Sequence, residues 1–178
     1  MLSGFFIGED FSFIKFTYSM DYSRKLNDFL KGGFSARDQG LVSPFEVVPI
    51  ITFGENRKPV VVPMRWGIRS MNGYTVIYKD IHHAIANPKL RRCVVPVNWF
   101  FDDSKPWLYS SGETNSYLAG AYFTDRGLDT FIILTGSDGL PVMLRRGDVR
   151  DWIYPDIEVY RVLEKTMPIT AMLLEEAV

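Results

Sequence analysis

A chain of 178 residues is long enough for one domain with a substantial core, and a composition 47% hydrophobic and 15% aromatic excludes a disordered chain. With 20 basic and 21 acidic residues the formal charge is −1, so overall charge points to neither nucleic acid nor acidic lipid as a partner, and a single cysteine with two adjacent histidines, His82 and His83, excludes an intrachain disulfide and argues against a metal site. No apolar run reaches the length of a bilayer span, and the N-terminal residues lack the cationic start and cleavage site of a secretory signal, so the expectation is a cytoplasmic protein with no membrane partner and no cofactor.

Residues 3–7 are apolar and predict a short first strand. Residues 11–17 set Phe11, Phe13 and Phe16 among Ser12 and Lys15, which fits a second strand or the lead into a helix. Over 22–30, Tyr22, Leu26, Phe29 and Leu30 recur at helical spacing, with Asp21 as N-cap and Gly32-Gly33 as the stop. Residues 40–52 read as extended, and Pro44 and Pro49 make this an edge strand or a strand entered through a turn. A turn at 54–56 precedes the β-branched strand 59–64, which leads into Arg65-Trp66-Gly67-Ile68. Met71-Asn72-Gly73 is a turn before a strand at 74–78, and 80–86 is a short helix ended by Asn87-Pro88. A buried strand at 92–101 follows the cations Arg91 and Arg92, holds Cys93, and ends in Trp99, Phe100 and Phe101 before Asp102 and Asp103. After a loop at 102–106 come strands at 107–109, 117–123, 130–135 and 140–144. Then Asp148 opens a helical turn through Trp152 and Ile153, and a strand-like tail covers 157–162. The sum is an α+β single domain over 1–178, mostly antiparallel β curled into a barrel-like core with a few short helices.

Local charge says more than net charge. Between residues 57 and 92 there are eight basic side chains and one acidic one, Asp80, while the acids concentrate from Asp102 onward. Such asymmetry means either an anion-binding face or two halves that pair across the fold. Arg65, Arg69, Lys89, Arg91 and Arg92 are the candidate phosphate contacts, and Trp99 is the candidate base-stacking ring. The plainer alternatives are a solvated helix-to-strand junction for Lys89, Arg91 and Arg92, and core packing for the aromatics. Asp102 is a candidate general acid or base, or a turn-opening aspartate. Asn72 before Gly73 is also a hairpin signature. Ser3 is a nucleophile only beside a base, and otherwise starts a strand. Cys93 reads as a small buried hydrophobe.

Six motifs in order carry a family resemblance: Ser43-Pro44 with Val48-Pro49-Ile50-Ile51; Met64-Arg65-Trp66-Gly67-Ile68; Arg91-Arg92-Cys93-Val94-Val95-Pro96 through Trp99-Phe100-Phe101-Asp102; Pro106-Trp107-Leu108-Tyr109; Ala119-Gly120-Ala121-Tyr122; and Phe131-Ile132-Ile133-Leu134-Thr135 with Leu140-Pro141-Val142-Met143-Leu144 and Trp152-Ile153. In these the chain resembles the SOS-response-associated peptidase (SRAP) family, whose members sense abasic sites in single-stranded DNA. The resemblance implies a DNA-damage role and an active site built on an N-terminal Met-Cys-Gly-Arg, whose cysteine traps the abasic aldehyde. Here Ser3 precedes Gly4, Phe5 stands for the arginine, and Ser3 is third, where ordinary Met removal does not expose its amine. The family's Asn-Ala-Arg-x-Glu becomes Asn72-Gly73-Tyr74-Thr75-Val76, its Phe-Tyr-Glu-Trp ends in Asp102-Asp103, and its His-Asp-Arg-Met-Pro becomes Ser137-Asp138-Gly139-Leu140-Pro141.

Ser3, Asn72 and Asp102 are thus the residual catalytic positions. Trp99, where the family has glycine, is expected to fill the vacated pocket together with Phe5. The implied reading is a catalytically silent member, without crosslinking or peptidase activity, that binds single-stranded DNA. The alternatives are a structural or interaction module that assembles with itself or another protein, and an active abasic-site protein with an altered nucleophile.

Overall fold

The computed structural model describes residues 2–7, 17–69, 72–102, 107–110, 115–167 and 169–173. The strands are β1 (Leu2–Ile7), β2 (Thr17–Tyr18), β3 (Gly40–Val42), β4 (Val47–Phe53), β5 (Pro59–Trp66), β6 (Ile68–Arg69), β7 (Thr75–Val76), β8 (Tyr78–Asp80), β9 (Arg91–Val97), β10 (Trp99–Asp102), β11 (Trp107–Ser110), β12 (Ser116–Asp125), β13 (Leu128–Thr135), β14 (Met143–Leu144) and β15 (Thr170–Leu173). The helices are α1 (Tyr22–Lys31), α2 (Ile81–Ile85), α3 (Val149–Ile153) and α4 (Val159–Leu163). Among the described residues, no helix is long and apolar enough to cross a membrane.

The long apolar strands close on themselves. β9 pairs β4, β4 pairs β5, β5 pairs β13, β13 pairs β12, and β12 returns to β9, so the expected barrel is a closed five-strand ring. Closure removes the exposed edges that such apolar strands would otherwise present. All contacts in the ring are antiparallel except β5–β13, which is parallel at Thr130↔Arg65 and Phe131↔Trp66. Cys93, Val94, Val95 and Val97 of β9 are all buried. One face of the strand turns into the ring and the other is covered in part by α3, whose Trp152 Nε1 donates to the Cys93 carbonyl at 2.8 Å. A ring this small has little interior, and β12 answers with Gly120: a Cβ there would stand 2.9 Å from Cys93 Sγ and 3.2 Å from the Ile132 carbonyl.

β4 is central, not an edge strand, and it is entered through the turn before it, where Glu46 N donates to Ser43 O at 3.3 Å. Pro49 stands opposite Pro63. Neither has an N–H to give, so this pair takes a rung without mutual backbone bonds. Their outward sides face gaps in the neighbouring pairing: β4 meets β9 at Ile51↔Val94, and β5 passes from β2 at Val61 to β13 at Arg65.

A second sheet, ordered β15-β11-β10-β1-β3, lies outside the ring. Val42, Phe5, Phe100 and Tyr109 follow one another across its strands in register and form its buried face. Phe5 packs on Trp66 of β5 at 5.0 Å between ring centroids, which joins sheet to barrel.

Several expectations change. The single strand at 92–101 is two strands in different sheets, separated at Asn98. The strand at 74–78 is two short ones, β7 and β8. The strand-like tail at 157–162 is the helix α4, where Val159, Val162 and Leu163 have helical rather than alternating spacing and Val162 is buried. Of 11–17, all but Thr17 lies outside the described residues; Thr17 pairs with β5. Helix α1 forms where expected, but the Asp21 side chain does not cap it and meets Arg24 at 2.9 Å instead. Asp80 does cap α2, accepting from the backbone N–H groups of His82 at 2.9 Å and His83 at 3.3 Å.

Two substitutions test the ring. Trp152→Phe removes the indole N–H that reaches the Cys93 carbonyl and shrinks a fully buried ring, and should lower stability in urea melts by ~1–3 kcal/mol. Gly120→Ala should cost ~1–3 kcal/mol by overpacking. Burial, reinforced by the charge of Asp129, pushes the Cys93 thiol well up. Ellman's reagent should therefore label it only in denaturant.

Candidate functional site

β1 and β10 run antiparallel with Leu2 opposite Asp102 and Gly4 opposite Phe101, so residue 3 is an extra residue on β1 at this end of the pair. The backbone thereby brings Ser3 beside Asp102. Gly4 is required by close approach: a Cβ on it would lie 2.5 Å from the Phe101 ring. The next two residues point to opposite faces. Phe5 turns inward and is fully buried. Phe6 turns outward and stacks on Trp99 with centroids 4.4 Å apart and planes 2° apart, both rings half-buried. Trp99 therefore does not share a pocket with Phe5; the two lie on opposite faces of the sheet. Leu41 of β3, next to Phe6 in register and 45% exposed, extends the Phe6–Trp99 face.

Strand direction sorts the remaining candidates. β5 and β9 both run antiparallel to β4, so they point the same way and end at the same mouth of the barrel. β13, parallel to β5, ends there too. Asn72 is exposed in the β6–β7 hairpin just beyond β5, and Ser137 to Pro141 form the turn after β13. Asn72 and the 137–141 turn thus lie at one end of the barrel, the end at which the chain leaves β9 for β10 and Asp102. Arg69 is at that end and exposed. Arg65 is there but engaged: Nη2 donates to the Gly67 carbonyl at 3.2 Å and the guanidinium lies 4.9 Å over the Phe34 ring. Burial, followed by the charge of Arg69, lowers its pKa against the pull of Asp125.

Lys89, Arg91 and Arg92 are at the other end. Six residue steps of β9 separate Arg91 from Val97, about 20 Å of extended chain. Arg92 ties β9 to the end of α3: its Nη2 donates to the carbonyls of Tyr154 and Ile157, the latter at 3.1 Å, and its guanidinium lies 5.5 Å over the Trp152 ring. Lys89 is exposed. Arg91 lies 4.6 Å over the Tyr122 ring and donates to Thr124 Oγ1 at 3.0 Å. The basic residues of 57–92 consequently do not form one face. Among the described residues no group of three His, Cys, Asp or Glu side chains is placed to hold a metal ion, and His82 and His83 are exposed on α2.

Sequence reasoning missed Phe6 as the partner of Trp99, and Thr124 and Asp129 as partners in the Arg91 network. A strand at 3–7 puts Phe5 and Phe6 on opposite faces, but does not say which strand lies beside them.

No protein-family model and no curated protein matches this chain. Solved structures do. A phage-related protein of Bordetella bronchiseptica is 16% identical, with a TM-score of 0.60 over 76% of this chain and 81% of its own. A second protein of the same organism is 13% identical, with a TM-score of 0.61 over 96% of this chain and 98% of its own. At such identities the likeness shows a shared fold and nothing finer.

Gly4→Ala should push the Phe101 ring aside and loosen the β1–β10 pair at a cost of ~1–3 kcal/mol. Faster hydrogen exchange at the Asn98 amide, which donates to the Phe6 carbonyl at 2.7 Å, would report it. Unchanged exchange would show that the contact is not limiting.

Proposed function

We propose that this chain is a diverged SRAP-like protein that binds single-stranded DNA without forming a covalent abasic-site adduct. The coplanar Phe6–Trp99 pair carries the reading. Two rings already stacked and partly open to solvent offer a base a further stacking partner at little ordering cost, and such stacking is indifferent to sequence. The pair stands three residues along β1 and β10 from the Ser3–Asp102 junction, about 10 Å of extended chain, with Arg69 as the phosphate contact. Arg65 and Arg92 are held by the chain's own carbonyls and rings, and Lys89 and Arg91 belong to the far end. Against crosslinking stands the chemistry of residue 3: serine has no thiol, and a hydroxyl is a far weaker nucleophile than a thiolate.

Fluorescence anisotropy with a labelled single-stranded oligonucleotide across a salt series tests this. Trp99→Ala should weaken binding by roughly tenfold, within the ~1–3 kcal/mol of one stacked base. Arg69→Gln should reduce the salt slope by about 0.7, the share of one phosphate contact on a single strand. Absence of binding at low salt would sink the proposal. An adduct with abasic-site DNA that survives denaturant and is lost in Asp102→Ala would replace it with an active trap.

A second reading rests on Leu41, exposed beside Phe6 and Trp99. This apolar strip also suits a second copy or another protein. A stable dimer in sedimentation that Leu41→Lys dissociates, with no DNA affinity, would favour an interaction module.

A further inference from the structure

The end of the barrel away from Ser3 and Asp102 holds a cleft of about 550 Å³. Arg91, Tyr122, Thr124 and Asp129 line one side, Phe53 and Glu55 belong to the end of β4 and the turn after it, and Tyr18, Met20 and Lys25 come from β2, the turn after it and α1. We propose that this cleft binds a small zwitterion with an aromatic body: a carboxylate on Arg91, an ammonium on the surplus acid, and a ring against the apolar rim.

The cation comes first. Arg91 is exposed, yet fixed in plane by the Tyr122 ring at 4.6 Å and by Thr124 Oγ1 at 3.0 Å. Thr124 in turn donates to Asp129 Oδ1 at 2.6 Å, and Lys25 Nζ stands 3.8 Å from both Asp129 and Asp21. Lys25 is thereby shared between two carboxylates. Arg91 has no carboxylate within ion-pair distance among the described residues, and its one bonded partner there is a neutral hydroxyl. A guanidinium has five donors in a planar fork matched to a carboxylate, and most of these remain for a ligand.

The ligand's second charge follows from the balance of the lining. Arg91 and Lys25 face Asp21, Glu55 and Asp129, two cations against three acids. A phosphate dianion would add to that excess. A ligand whose own ammonium offsets it does not, and the rim suits its body: Tyr18 is 43% exposed, Met20 is fully exposed and Phe53 half-buried. The volume falls in the range of small-molecule sites, and barrel mouths are where such sites form. Free aromatic amino acids and short peptides share this chemistry.

Calorimetry and amide NMR with L-tryptophan, N-acetyl-tryptophan, tryptophan amide and glycyl-tryptophan test the proposal. L-tryptophan or the dipeptide should bind and shift the amides of Tyr122 and Thr124; whichever binds tighter identifies the source. The amide should bind at least about tenfold more weakly than L-tryptophan, the loss of the charge-assisted fork. Arg91→Gln should remove the same factor, while Arg91→Lys keeps part of it, with unchanged circular dichroism showing that both variants fold. Glu55→Gln should weaken L-tryptophan but not the acetylated form. Equal binding of blocked and unblocked ligands, shifts confined to other residues, or no binding of any probe at millimolar concentration would overturn it.

Discussion

One chain segment passing from the barrel into the outer sheet is the constraint on which the rest of the molecule depends. β9 belongs to the closed ring, β10 to the second sheet, and the change is made at Asn98, whose amide donates to the Phe6 carbonyl at 2.7 Å. Because the two strands are continuous, the second sheet cannot shift relative to the barrel without breaking that bond or the Phe5–Trp66 contact. β1 is thereby held against β10, and residue 3 against Asp102. On β9 itself, Trp152 satisfies the Cys93 carbonyl from α3. A hydrogen bond of this kind contributes ~1 kcal/mol, a fair part of a domain's net stability.

The two mouths of the barrel are differently made. At one, Asn72 and the turn after β13 lie where the chain leaves β9 for β10, the strand that carries Asp102 and one ring of the stacked aromatic pair. At the other, Arg91, Thr124, Asp129 and Lys25 form a chain of hydrogen bonds and ion pairs around a cleft. The ring between them is packed with side chains, so whatever each mouth binds, it binds separately. Charge alone did not separate them, since the cations that cluster between residues 57 and 92 are shared between the two ends. Arg65 and Arg92 serve neither: each is partly desolvated and held by carbonyl groups and aromatic faces of the chain itself, though Arg65 Nε and Arg92 Nη1 stay buried without a hydrogen-bond partner among the described residues.

Sequence alone determined the parts that depend on near neighbours. The helix over 22–30, the short helix that begins at Asp80, the buried character of Cys93 to Val97 and the mostly antiparallel α+β class all follow from periodicity and local turn chemistry. Tertiary structure alone decided what depends on which strands meet. The ring closes through a parallel pair between residues 65 and 130, which no local pattern specifies. Alternation shows that Phe5 and Phe6 face opposite ways, but only the β1–β10 register stacks Phe6 on Trp99 and leaves Phe5 on Trp66. An arginine's sequence context does not say whether its fork meets solvent or a carbonyl; Arg91 and Arg92 are adjacent and do opposite things, because α3 covers one side of β9 and a cleft opens on the other.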